Sequence, residues 1–222
     1  MMIRQLPLFP LGTILFPGAT LNLHIFEERY RQMIGRCLEQ DSPFGVVLIR
    51  EGDEVVEGRA AARPAEPHSI GTTARISANV RLDDGRFLLT ATGETRFRIQ
   101  YVLQHAPYLV ASVVELPEER PAAADPLAAE LRQLYDRYWQ AVAAATGAPV
   151  EAEELPGDPA GIAYQLADRL QVDAERKQAW LEADLLTRLR EISAELRAEL
   201  ALLPSAGKRK GREGWSGTGS LN

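Results

Sequence analysis

Apolar and polar positions alternate with a period of two along Ile70–Leu82. Ile70, Thr72, Ala74, Ile76, Ala78, Val80 and Leu82 fall on one face, and Gly71, Thr73, Arg75, Ser77, Asn79 and Arg81 on the other. That period predicts a half-buried antiparallel strand. Asp83-Asp84-Gly85 follows and reads as a hairpin turn, since Asp-Gly tolerates the positive φ that tight turns need. Arg86–Thr92 is then the partner strand. Gly93-Glu94 predicts a second break, followed by a strand over Thr95–Leu103 and another over Tyr108–Leu116. Four short strands in succession predict a sheet that curls on itself into a small barrel.

Other stretches carry a different period. Phe26, Tyr30, Met33/Ile34 and Cys37/Leu38 recur at helical spacing, so Phe26–Leu38 predicts an amphipathic helix. Phe44–Ile49 is a short continuous apolar run, expected to be a fully buried strand. Glu51–His68 has no period and reads as an exposed loop. From residue 121 the pattern is helical throughout. Asp125-Pro126 and Asp158-Pro159 each place an acceptor at an N-cap and proline at the first helical position. The first of these helices is expected to end at Gly147. Asp173 caps a third, whose apolar stripe from Trp180 to Leu200 predicts one helix of nearly thirty residues, stopped by Pro204.

The expected architecture is α+β. A β-rich lobe over residues 1–120, with one embedded helix, precedes a helical lobe over 121–203 that ends in a long helix, and residues 204–222 form a disordered basic tail. The 222-residue chain has a net charge of −6, with a surplus of two acids over residues 1–120, seven over 121–203 and a basic surplus of three in the tail. The acidic body argues against nucleic acid as a partner. Cys37 stands alone, as expected in a reducing compartment. The proline-interrupted N-terminus makes a poor signal peptide, and no run approaches the ~20 apolar residues of a membrane span. These features predict a cytoplasmic chain that does not enter membranes.

Candidate chemistry is sparse. Gly207-Lys208 lacks the upstream glycine of a phosphate-binding loop. His24, His68 and His105 lie some forty residues apart, and one cysteine excludes cysteine-based zinc sites. Cys37 falls on an apolar helical stripe and Lys177 in a solvated first turn, so neither reads as a nucleophile. Glu27/Glu28 and Glu153/Glu154 are adjacent in sequence and read as solvated carboxylates. Arg96 and Arg98 share a strand face opposite Phe97 and Tyr101, which reads as a solvated face rather than an RNA-stacking surface. Trp215 in the tail reads as incidental. No catalytic, cofactor-binding or metal residue is assigned.

The segment Leu6–Ile34 (LPLFPLGTILFPGATLNLHIFEERYRQMI) resembles the opening of the Lon protease N-terminal domain family, through Leu6, Pro7, Pro10, Phe16, Pro17, Gly18, Leu23, Phe26, Glu27, Arg29 and Tyr30. The resemblance continues in order through Phe44–Val47, Gly71–Ile76, Asp84–Ile99 and Tyr108–Val113 to the last helix, covering about residues 3–203. It implies a PUA-like pseudo-barrel followed by a helical bundle. It also implies a non-catalytic module for recognising polypeptides, standing without the ATPase and protease parts. The implied partners are polypeptide substrates or a protease, with a homodimer also open, and no cofactor. The PUA-like likeness leaves RNA or nucleotide binding as the alternative. Phe16, Pro17, His24, Glu27 and Arg29 are the candidate partner-binding residues: Phe16 and Pro17 as an exposed apolar patch at a turn, the polar three at a strand–helix junction. Fold maintenance weighs against a contact role for each.

Overall fold

A computed structural model describes residues 3–52, 65–149 and 151–203. Among these residues seven strands come first, with one helix among them: β1 (Ile3–Leu11), β2 (Thr20–Ile25), α1 (Glu28–Glu39), β3 (Phe44–Glu51), β4 (Glu66–Pro67), β5 (Ile70–Arg81), β6 (Phe87–Gln104) and β7 (Leu109–Leu116). Four helices follow: α2 (Ala124–Thr146), α3 (Pro159–Arg169), α4 (Ala174–Glu182) and α5 (Leu185–Leu202).

The strands pair in the order β1-β7-β6-β5-β3, and a parallel β1–β3 pairing closes the ring. β1 contains Pro7 and Pro10, residues that cannot donate to a ladder. Its pairing is split accordingly. Ile3–Leu8 pairs with β7 and Leu8–Leu11 with β3, so each proline is bonded on one side only. Leu6, Leu8, Val47, Phe97, Ala111 and Val113 pack together among these strands. β2 stands outside the ring and pairs with Phe87–Thr92 of β6, which also pairs with the second half of β5. A three-stranded arm therefore extends from the barrel.

The expected break at Gly93-Glu94 is instead a bulge inside one 18-residue strand. Gly93 is needed there, because a Cβ would lie 2.3 Å from the Phe16 carbonyl oxygen. A second irregularity, between Ile76 and Ala78, puts two residues of β5 opposite one of β6 and reverses its alternation. The residues grouped on one face of Ile70–Leu82 therefore stay together only as far as Ile76, and the half-buried reading fails at the start of the strand as well. Residues 70–74 are buried on both faces, whereas Val80 points outward.

α1 covers the barrel with Tyr30, Met33, Ile34 and Cys37, packed on Phe9, Phe44, Phe87 and Leu89. Burial raises the Cys37 thiol pKa, as expected for a structural cysteine. Glu66–Pro67, inside the stretch read as a loop, pairs with β3; positions 53–64 lie outside the described residues, as does the tail with Trp215.

Two helix expectations need correction. α2 starts one residue before Asp125, with Ala123 at its N-cap, because a turn closed by Ala124 N–H to Pro121 O leads directly into it. Asp125 lies in the first turn and bonds Arg120. The single long final helix is two helices, broken at Ala183-Asp184, both extended. Asp184 caps the second through Thr187 N–H at 3.0 Å. The carbonyls freed at the end of the first are taken by arginines: Arg188 donates to Trp180 O and Ala183 O, and Arg96 to Leu181 O and Ala183 O. Asp158 and Asp173 cap α3 and α4 as expected, and α2 ends on Gly147 with φ 70°.

The helices do not form a separate core. Ile14, Phe16, Leu48 and Ile70 from the strand half pack into the cluster built by Leu131, Leu134, Ile162, Trp180, Leu189 and Ile192. No helix among the described residues is long and apolar enough to cross a membrane.

Candidate functional site

The polar residues of the strand–helix junction meet at one cleft. β2 carries His24, the chain turns at Phe26-Glu27, and α1 begins, so His24, Glu27 and Arg29 all line an opening of about 210 Å³ beside Phe9, Leu11 and Ile49. Arg29 Nε donates to Glu27 Oε2 at 2.8 Å, and its guanidinium carbon sits 4.5 Å from the Tyr30 ring centroid. Glu27 is the N-cap residue of α1 but makes no side-chain cap bond. Its carboxylate holds Arg29 instead. The pair thus presents a half-buried dipolar edge to the cleft.

His24 also belongs to a second surface. Its ring lies 3.3 Å from Arg86 Nη1, and Arg86 in turn is held by Asp84 at 2.7 Å. The backbone N–H of Arg86 is the main reason the Asp84 carboxyl lies below its usual pKa. Across the arm, His24 registers with Leu88, and Leu88 with Val80. The next row is Asn22, Thr90 and Ala78, closed by a 2.8 Å hydrogen bond from Thr90 to Asn22. Val80 is 59% and Leu88 46% exposed. These two rows floor a shallow depression of about 430 Å³, apolar in its centre and polar at its rim. It joins the smaller cleft along Asn22, Leu23 and His24.

Of the five residues singled out, the structure brings three together. Phe16 and Pro17 lie elsewhere. Phe16 is 0% exposed, 6.1 Å from the Tyr164 ring, so it cannot stand in an exposed patch as expected. An apolar residue in a turn is drawn into the nearest core, and here that core is the helical one. Pro17 is half-buried beside Gly161 and Tyr164. Sequence reasoning missed Val80 and Leu88 because strict alternation put Val80 inside; the bulge that turns it outward leaves no local signal.

Arg96 also departs from expectation. It is buried rather than solvated, while Arg98 is exposed. Arg96 and Arg188 both contact Glu118, at 3.2 and 2.9 Å, and Glu118 also accepts from the Tyr164 hydroxyl. Burial raises the Tyr164 pKa and lowers that of Arg96. A cleft of about 850 Å³ opens beside this cluster, between the middle of β6, the end of β7 and the α4–α5 break. The histidines do not converge: His24 and His105 are exposed, and His68 lies against α4, 3.4 Å from Glu175 and 3.7 Å from Glu182. No group of three His, Cys, Asp or Glu side chains among the described residues is placed to hold a metal ion.

This is an α+β architecture, a pseudo-barrel with helices packed against it. The chain belongs to the ATP-dependent protease La (LON) substrate-binding domain family, whose model matches residues 5–198. It is 27% identical over 210 residues to Lon protease 2 of Myxococcus xanthus, covering 92% of this chain and 25% of that protein. It is 28% identical over 203 residues to the Lon protease of Anaeromyxobacter dehalogenans. The chain thus spans about a quarter of the length of these curated relatives. The Lon N-terminal domain protein from Xanthomonas campestris superposes with a TM-score of 0.56 and 26% identity, covering 90% of this chain and 99% of that one. The N-terminal domain of Mycobacterium avium complex Lon protease gives 0.60 at 20% identity, over 87% and 98% of the two chains, a likeness of fold.

Proposed function

We propose that this chain is a non-catalytic, cytoplasmic polypeptide-recognition module that delivers or holds unfolded chains for a protease partner. Its contact surface is the arm depression with the adjoining His24–Glu27–Arg29 cleft. The observation that carries the reading is the exposed Val80–Leu88 row. Two exposed apolar side chains directly opposite each other, ringed by Asn22, Thr90 and His24, form a small apolar centre with a polar rim. β2 pairs with β6 alone among the described strands, so the surface ends in a strand edge of the kind extended peptides join. The family description, a substrate-binding domain, supports the same reading. The RNA or nucleotide alternative loses one of the two arginines of its strand face, because Arg96 turns into the helices.

The test is fluorescence anisotropy with a labelled, permanently unfolded polypeptide, using its folded form as control. The wild type should bind the unfolded form selectively. The double variant Val80→Ser/Leu88→Ser should keep its unfolding midpoint and weaken binding by roughly tenfold or more. Unchanged affinity in that variant would remove the arm from the reading.

A further inference from the structure

A separate cleft of about 490 Å³ lies between the start of β1, the C-terminal half of α1 and the β6–β7 turn. Among the described residues, Arg4 and Arg36 are the only charged side chains that line it. Its other polar side chains are neutral, among them Gln5, Gln40, Ser42 and Gln104. On a chain with a net charge of −6, a wall with two guanidinium groups and no carboxylate is a local reversal of sign.

Neither guanidinium is fully engaged. Arg36 Nη1 donates to the Tyr108 hydroxyl at 3.1 Å, and no carboxylate pairs with Arg36 among the described residues. Arg4 Nη1 meets Glu115 at 3.4 Å across a half-exposed contact, while its buried Nε has no acceptor among the described residues. A cation in the last turn of α1 suits the negative end of the helix dipole, which accounts for Arg36 being tolerated there. The dipole does not account for the neutral amides and hydroxyls of Gln5, Gln40, Ser42, Gln104 and Tyr108 set among the apolar lining, nor for the unmatched donor on Arg4. Buried donors ordinarily find acceptors, and planar guanidinium groups match oxyanions best.

We propose that this cleft binds a small oxyanion, a carboxylate or a phosphate, held by Arg36 and Arg4 with the neutral amides and the Tyr108 hydroxyl around it. The site lies apart from the arm surface, and its case does not rest on polypeptide recognition.

The experiment titrates the full chain with inorganic phosphate in one arm and succinate in the other, at constant ionic strength. Binding is read by the backbone amide resonances of Ser42 and Gln104. At least one anion should give saturable shifts there; the stronger arm names the oxyanion. Arg36→Gln, an exposed position whose unfolding midpoint should match the wild type, should weaken that affinity by about tenfold or more. Arg50→Gln, on the exposed end of β3, should leave it unchanged. The proposal is overturned if neither anion moves these resonances, or if Arg36→Gln titrates like the wild type.

Discussion

Arg188 and Glu118 stand 70 residues apart in the chain and meet at 2.9 Å, tying α5 to the segment that leaves β7. Arg188 is completely buried, and Glu118 is partly buried, its side chain 19% exposed. Glu118 also serves Arg96, so a single carboxylate balances two buried guanidinium groups. The β and helical parts are joined here by charge, alongside the shared apolar core.

That sharing makes Glu118 the sensitive member. Glu118→Gln leaves two buried cations without a counter-charge and should cost about 3 kcal/mol of unfolding free energy in urea denaturation. Arg120→Gln removes only the exposed pair with Asp125 and should cost under about 0.5 kcal/mol. Equal effects would show the cluster to be energetically inert.

Phe16→Ala separates a core role from a surface one. With the ring fully buried against Tyr164, truncation should cost about 3–5 kcal/mol. A midpoint close to wild type would return Phe16 to the list of surface contacts.

Gly93→Ala should destabilise by about 1–3 kcal/mol, because the new Cβ meets a backbone carbonyl rather than a side chain that can move aside. Gly157→Ala meets nothing within 4 Å and serves as the control; it should be neutral or slightly stabilising. Thermal unfolding of the two variants decides the point.

Asp184→Ala tests the break between α4 and α5. Loss of the cap should cost about 1 kcal/mol at neutral pH. Thr187 N–H bonds the ionised carboxylate and holds its pKa below the ordinary value. A depressed folded-state value gives stability that is fully present above the unfolded pKa, about 3.9, and is lost as pH falls through the folded value. The gap between wild type and Asp184→Ala should therefore narrow in urea titrations below about pH 4.

Much of the architecture was legible along the chain. Period-two stretches located β5, β6 and β7, helical stripes located α1 to α3, and Asp158 and Asp173 marked helix starts, because these signals depend on neighbours a few residues away. β1 was not legible, since its two prolines argue against a strand until the split pairing shows how each is accommodated. For the site, the His24–Glu27–Arg29 junction was visible as a motif, whereas its joining to Val80 and Leu88 was not.

What the sequence alone determined is the set of elements and their order, the β-rich first half and helical second half, and the family likeness, all carried by short-range pattern. What only the tertiary structure decided is where that pattern is overruled. Arg96 sits on a strand face that reads as solvated, but the free carbonyls of α4 and the Glu118 carboxylate draw it inward. The apolar stripe through α4 and α5 reads as one helix, yet the chain is extended at Ala183-Asp184 and two arginines take the carbonyls left at the end of α4. Val80 reads as core, and one bulge places it in solvent. Arg96 meets those carbonyls across 85 and 87 residues of chain, and the bulge is set by pairing with a second strand, contacts that local periodicity does not register.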